Sequence, residues 1–238
     1  MKKPTDFTYD IAVIGGGIVG IASAYKIQKS YPHLSIIVFE KEERLAMHQT
    51  GYNSGVIHSG LYYRPGSFRA KNCVSGREQL VAFAKEHSIQ HDVCGKVVVA
   101  VTEEELTQLD KIKEVGLANG LEGIERIDSK RLQEIEPFVE GKAALWVPQA
   151  GIIDFIGVTN KLAKCILKIN PNSKIETGCE VKGFSKGETT DLHTSKGDFF
   201  AKKLIFCGGL HSDRLARKDR LKLDLRIVGF RGDYYDLS

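Results

Sequence analysis

The sequence has no Cys-x-x-Cys pair, and its five cysteines, at 73, 94, 165, 179 and 207, are odd in number and irregular in spacing. That argues against a disulfide framework and against a zinc site, and it fits a reducing compartment. No apolar run is able to cross a bilayer: the longest, Ile11 to Ala24, is short and broken by glycines. The amino terminus, MKKPTDFTYD, starts basic and turns polar and acidic, so it does not read as a signal peptide. Charge of one sign is also scarce. A formal net charge of +4 is too mild to argue for a nucleic-acid partner, and the basic stretch RLARKDRLKLDLR (214–226) reads as a solvated face. No basic amphipathic helix is strong enough to claim a membrane surface. Internal repeats, low-complexity tracts and long linkers are missing as well. These absences leave a soluble, cytoplasmic globular chain with an ordinary 42% hydrophobic and 27% charged composition. Its 238 residues suffice for one large domain or two small ones.

What is present is most specific at the start. In YDIAVIGGGIVGIASAYKIQKSYPHLSIIVFEK, Ile11 to Ile14 is a short apolar run suited to a buried parallel strand. Gly15, Gly17 and Gly20 then supply G-x-G-x-x-G, and Ile18 to Ser30 reads as a helix with Ile18, Ile21, Ala22, Tyr25 and Ile27 on its apolar side. Ser35 to Glu40 is a second buried strand that ends in an acid. Each part has a physical task. Gly15 permits the tight turn, Gly17 lets backbone approach a pyrophosphate, and Gly20 lets the helix pack close to the sheet. The helix amino terminus offers free N–H groups and partial positive charge to phosphates. Glu40 is placed to accept hydrogen bonds from ribose hydroxyls, and its charge disfavours a 2′-phosphate, so NAD or FAD is expected rather than NADP.

Farther along, the pattern predicts a helix over 66–88, a strand over 94–101, and an amphipathic helix after Thr102. Thr102 and Glu105 have capping-box spacing, and Gly120 is the stop signal. A shorter helix follows Asp128, and AALWVPQAGIIDF reads as strand, turn and strand. Asp154 opens the helix FIGVTNKLAKCILKI. KIETGCEVKGFSK reads as one strand, followed by a hairpin around Ser195 to Asp198. KKLIFCGGLHSDRLA repeats the opening logic: a buried strand ends in Gly208-Gly209 and a helix follows, so a second glycine-lined strand end can meet the same cofactor. The tail LRIVGFRGDYYDLS is β-rich in composition. Nucleotide-type segments cover 8–93 and 155–216, while 94–154 and 217–238 read as another module.

The stretch HQTGYNSGVIHSGLYYRPGS (48–67) has neither helical nor strand period. With the opening unit and IFCGG, it resembles the FAD-dependent oxidoreductases of the D-amino-acid-oxidase type. Within that group, this stretch together with KNCVSG, CGKVVVA, GIIDF and FRGDYYDL is similar to the L-2-hydroxyglutarate oxidase/dehydrogenase family. The motifs occur in order along nearly the whole chain, and the His-Ser-Gly-Leu-Tyr-Tyr run is the most specific. The resemblance implies an α/β fold: a Rossmann-like FAD-binding domain interleaved with an α+β substrate domain, the latter incomplete. Family members are normally much longer. Their carboxyl-terminal half completes the substrate domain and supplies a late glycine-rich segment beside the flavin. The expectation is therefore a fragment, a truncated product or one piece of a split protein.

The resemblance further implies hydride transfer from L-2-hydroxyglutarate to FAD, giving 2-oxoglutarate, with the protein orienting and polarising. It puts the pyrophosphate on Gly15, Gly16, Gly17, Ile18 and Val19, with Gly20 behind them. Glu40 and Lys41 would hold the adenosine ribose. Thr50, Gly51, Asn53 and Ser54 would line the flavin side of the loop, Val181 would meet the adenine, and Cys207, Gly208 and Gly209 would touch the cofactor from the second strand end. His58 is the candidate for acid/base work or substrate polarisation, against a packing role in the loop. Arg231 is the candidate carboxylate clamp, against an ion pair with Asp233. Tyr62, Tyr63 and Arg64 are weaker candidates, and Tyr234 and Tyr235 read as strand packing. Cys207 reads as a small buried residue and not a nucleophile. No metal site is expected. Three alternatives stand beside this reading. One is a related flavoenzyme for an amino acid, an amine or glycerol phosphate. The second is a non-catalytic nucleotide-binding remnant, and the third, an NAD-dependent dehydrogenase, fits the 48–67 loop less well. The residues leave open oxygen or a quinone as electron acceptor, and peripheral association with a membrane.

Overall fold

The computed structural model describes residues 7–233. The elements run β1 (Thr8–Ile14), α1 (Ile18–Ser30), β2 (Ile36–Phe39), β3 (Val56–Ile57), α2 (Phe68–Glu86), β4 (His91–Asp92), β5 (Lys96–Ala100), α3 (Glu103–Ala118), β6 (Glu125–Asp128) and α4 (Ser129–Ile135). Then come β7 (Ala143–Val147), β8 (Gly151–Ile153), α5 (Phe155–Ile169), β9 (Lys174–Glu176), β10 (Val181–Lys186), β11 (Thr190–Thr194), β12 (Gly197–Phe206), a 3-10 turn (Gly209–His211) and α6 (Ser212–Lys218). They form two compact units. Unit 1 runs through Tyr52 and resumes at Phe155; unit 2 is Asn53–Asp154.

Unit 1 is built on a six-stranded sheet in the order β10-β11-β12-β1-β2-β9. The four strands from β12 to β9 are parallel, and the β10-β11-β12 side is an antiparallel meander. β1 and β2 are apolar on both faces, as a doubly covered parallel strand requires. β12 serves twice, closing the meander through its first residues and pairing with β1 along most of its length. Tyr9, Ile14, Ile37, Phe39, Leu192 and Phe199 belong to one core cluster, with Phe39 and Phe199 edge to face at 5.1 Å.

α1 packs on β1 and β2 and against α5. α5 buries Val158, Thr159, Leu162, Ala163 and Ile166, a single helical stripe. α1 buries Gly20, Ile21, Ala24 and Gln28, so its inner face is shifted from the one that its apolar residues predict. Gln28 is fully buried and fully used. Its Nε2 donates to Leu34 O at 2.9 Å and Pro32 O at 3.2 Å, and its Oε1 accepts from Ser173 Oγ at 2.7 Å. Ser173 Oγ in turn accepts from Ile36 N at 2.9 Å, which fixes the entry of β2.

Unit 2 holds two three-stranded antiparallel sheets, β3-β8-β4 and β5-β7-β6. α3 begins with the capping box of Thr102 and Glu105. Its carboxyl end clips the 60–63 loop: Asn119 Nδ2 donates to Gly60 O at 3.0 Å and Tyr63 O at 2.7 Å.

Three expectations change. The segment 174–186 is two strands, because Gly178 turns the chain at φ +60° and its N–H is taken by Glu42 O. β9 pairs with β2 and β10 with β11, at opposite edges of the sheet. The tail forms no strand among its described residues, 225–233, where no neighbouring strand pairs with it; β-prone composition makes no ladder by itself. Tyr234 and Tyr235 lie outside the described residues. Finally, the units divide at Tyr52, not at 93, and the described tail belongs with unit 1.

Candidate cofactor site

The register of unit 1 assembles the site. Ile14 is level with Phe39 on one side and with Phe206 on the other. The next residues, Gly15, Glu40 and Cys207, therefore leave three adjacent parallel strands at one edge, the carboxyl-end crevice where such sheets bind ligands. Backbone bonds continue the alignment: Gly15 N donates to Phe39 O and Cys207 N to Ile14 O, both at 2.8 Å.

Two glycines are needed for closeness. Gly15 sits at φ +120°, and a Cβ there would lie 2.2 Å from Cys207 O; a Cβ on Gly20 would lie 2.0 Å from Gly15 O. α1 thus starts hard against the end of β1. Its amino terminus carries no acidic residue in the first turn and no capping bond from the Gly17 position. Thr50 acts from a distance, its Oγ1 accepting from Ile18 N at 3.0 Å. Glu40 is anchored by backbone, with Oε2 accepting from Gly16 N at 2.7 Å and Oε1 from Glu42 N at 3.0 Å. An ionised carboxylate has about four lone-pair positions, so acceptor capacity is left for two hydroxyls.

These residues border a cavity of about 410 Å³ lying wholly within unit 1. Of the expected cofactor residues, Gly15, Gly17, Glu40, Lys41, Thr50, Val181, Cys207, Gly208 and Gly209 line it. Gly16, Ile18, Val19, Gly20 and Gly51 belong to the same segments without lining the cavity. Asn53, Ser54 and His58 fall in unit 2. Asn53 Oδ1 accepts from Gly55 N at 2.7 Å in a local turn, and exposed His58 directly follows β3. Arg231 does not line the cavity: its side chain is 87% exposed and pairs with Asp233 at 2.7 Å.

The sequence reading missed His48, Gln49, Glu180, His211 and Arg214, which also line the cavity. His48 Nε2 lies 2.9 Å from Glu42 Oε1, and that contact, followed by the Lys41 bond, holds the Glu42 carboxyl below its ordinary range. Arg214 Nη1 lies 3.3 Å from His211 Nδ1. The available signal was adjacency: His48 and Gln49 precede Thr50, Glu180 precedes Val181, and His211 and Arg214 are one helical step apart after the second glycine pair. Burial pushes the Cys207 thiol up, with a smaller opposing effect from Ser23, so this sulfur is a neutral wall group. No group of three or more potential metal ligands occurs among the described residues, and no described helix is long and apolar enough to cross a membrane.

The donor set fits FAD. A glycine-lined helix amino terminus suits a diphosphate, an anchored carboxylate at the end of β2 suits a ribose diol, and the cavity lies within the roughly 300–1,000 Å³ usual for small-molecule sites.

Comparison with known proteins agrees. The model of the FAD dependent oxidoreductase family matches residues 10–238. L-2-hydroxyglutarate dehydrogenase of Indibacter alkaliphilus is 43% identical over 97% of this chain and 58% of its own length. The mitochondrial L-2-hydroxyglutarate dehydrogenase of Homo sapiens is 38% identical over 98% of this chain and 53% of its own length. The chain thus spans little more than half of these curated relatives. Among solved structures, L-alpha-glycerophosphate oxidase from Mycoplasma pneumoniae with FAD bound has a TM-score of 0.79 at 29% identity, over 89% of this chain and 56% of that one. Glycine oxidase from Geobacillus kaustophilus has a TM-score of 0.81 at 21% identity, over 91% and 59%, a likeness of fold. From the strand-end crevice, the glycine cradle and a family match that runs almost from end to end, the chain belongs to the FAD dependent oxidoreductase family.

Proposed function

We propose that this chain carries the FAD-binding part of an enzyme that oxidises L-2-hydroxyglutarate to 2-oxoglutarate. The observation that carries the reading is the convergence of Gly15, Glu40 and Cys207 at one sheet edge, around the cavity, in a chain 38–43% identical to L-2-hydroxyglutarate dehydrogenases. Unit 1 carries the cofactor residues, and the acid/base candidate His58 belongs to unit 2.

FAD held by these residues would supply a hydride acceptor for oxidation of the carbon that bears the substrate hydroxyl. The chain's own residues bind and orient. The α1 amino terminus, with Gly17 on the cavity wall, receives the diphosphate. Thr50 Oγ1 holds Ile18 N beside the same phosphates. Glu40 accepts the ribose hydroxyls, held in place by Gly16 N–H and Glu42 N–H. Val181 and the Cys207–Gly209 turn flank the nucleotide. His58 would take the hydroxyl proton as general base. The five cysteines are free, which supports a reducing compartment.

The test is anaerobic mixing of the FAD-loaded protein with L-2-hydroxyglutarate, glycine, sarcosine and glycerol 3-phosphate in separate runs. Bleaching of the flavin band by L-2-hydroxyglutarate alone is the expected result. Bleaching by one of the others instead transfers the chain to another substrate.

A further inference from the structure

A dicarboxylate substrate calls for cations, and Arg231, exposed and tied to Asp233, is poorly placed to meet it. Unit 2 has better ones. Arg69, Cys73 and Arg77 recur every four residues on α2 and so share one stripe. The stripe faces the 58–63 segment. Cys73 Sγ donates to His58 O at 3.3 Å, a Cβ on Gly60 would lie 3.7 Å from the same sulfur, and the Arg69 guanidinium sits 4.4 Å from the centre of the Tyr63 ring.

Arg77 is the anomaly. Its side chain is only 13% exposed, and its Nη1 is buried with no hydrogen-bond partner among the described residues. Among the described residues its one carboxylate contact is Glu78 at 3.5 Å, an adjacent residue whose side chain is 67% exposed. On the facing segment, Ser59 Oγ is also buried and unpartnered, in a residue 2% exposed. A buried guanidinium N–H without a partner is costly, as is a buried hydroxyl without one. Burial pushes the Cys73 thiol up, while the Arg77 and Arg69 charges pull it down; both charges therefore reach this sulfur, and the thiol supplies no anion to them. Two cations and two unpartnered buried donors, with only the exposed Glu78 carboxylate near Arg77, define a site for a small anion. A planar carboxylate matches the guanidinium fork with two parallel hydrogen bonds.

We propose that Arg77 and Arg69, with Ser59, bind one carboxylate of a small dicarboxylate at the α2 stripe beside His58. The dicarboxylate's identity rests on the function proposed above; the site itself rests on the unpaired buried donors. Removing Arg77 should then free the chain of a buried unpartnered donor and weaken anion binding at the same time. A purely structural arginine would show the opposite sign in the first measurement.

The experiment is thermal unfolding of the FAD-loaded chain with and without glutarate, butyrate and inorganic phosphate, in the parent, Arg77→Met, Arg77→Lys and Arg69→Met. Glutarate should raise the parent midpoint in a saturable way. Arg77→Met should melt no lower than the parent without ligand and lose the glutarate shift, with at least a tenfold weaker apparent affinity. Arg77→Lys should restore part of the shift, and Arg69→Met should reduce it. Three results overturn the site: no glutarate shift in the parent, an equal shift in Arg77→Met, or a ligand-free Arg77→Met that melts below the parent. A phosphate shift without a glutarate shift overturns the carboxylate assignment. An Arg77-dependent glutarate shift in a protein whose flavin L-2-hydroxyglutarate does not bleach leaves the site standing and removes the proposed substrate.

Discussion

Gly17 and Gly20 lie three residues apart, yet the structure gives them different work, and alanine at each should separate the two. At Gly20 an added Cβ falls 2.0 Å from Gly15 O, short of the 3.4 Å where ordinary contact begins by roughly 1.4 Å. The obstacle is backbone, so no rotamer change relieves it; α1 must back away from β1. Overpacking of this kind costs about 1–3 kcal/mol, which for a chain of this size lowers the melting midpoint by about 2–12 °C. The shift also moves the α1 amino terminus, so FAD affinity should fall too. At Gly17 the added Cβ meets only the Thr50 hydroxyl, at 3.3 Å, and the backbone (φ −76°, ψ 174°) is open to any residue. Gly17→Ala should therefore melt near the parent, with a loss of about 0.5 kcal/mol or less from the weaker cap. Its methyl stands on the cavity wall where the diphosphate must approach, and FAD should bind at least about tenfold more weakly, or about 1.4 kcal/mol. Thermal melts of the cofactor-free proteins and fluorescence titrations with FAD read both quantities. A Gly20→Ala protein as stable as the parent, or a Gly17→Ala protein that binds FAD as tightly, refutes this division of labour.

Ser173→Ala strips Ile36 N–H and Gln28 Oε1 of buried partners and should cost about 2–5 kcal/mol in urea unfolding; adding Gln28→Leu should return part of that loss, since one of the two orphans disappears. Asp10 is held below the ordinary carboxylate range, first by the Lys202 bond and then by Ser35. Its folded pKa is depressed, so its stabilisation is complete above the unfolded value and is lost as pH falls through the folded one. Urea midpoints of Asp10→Asn should accordingly lie below the parent's at neutral pH and converge with them in acid; a constant gap across pH contradicts this. His58→Gln should leave FAD binding intact and slow flavin reduction by about 10²–10⁴-fold, read by stopped-flow absorbance. Equal rates return His58 to the scaffold.

The legible parts of the chain are those where local sequence and tertiary demand coincide. The bounds of α1, the Thr102 capping box and the second glycine strand end all follow from residues close in sequence. So does much of the cavity lining, because Gly15, Glu40 and Cys207 are strand-end neighbours in a recognisable strand–glycine–helix unit. Gln28 shows where such reading fails. A glutamine on a helix reads as surface until Ser173, 145 residues away, is known to receive it. The split of 174–186 depended on two sheet edges that only the assembled fold provides. Arg214 and His48 stand close in sequence to residues read as cofactor-binding, whereas the unpartnered Nη1 of Arg77 is visible only in the assembled fold. The β-rich tail fails for the complementary reason, a composition ready for pairing with no paired strand among the described residues.

The central claim is that the cavity of unit 1 is an FAD site built on Gly15, Gly17 and Glu40. Isothermal titration of FAD into the cofactor-free protein, in the parent and in Glu40→Gln and Gly17→Ala, tests it most directly. One FAD per chain in the parent, with weaker binding in both variants, is the predicted result; no binding in the parent, or binding indifferent to both substitutions, contradicts the account.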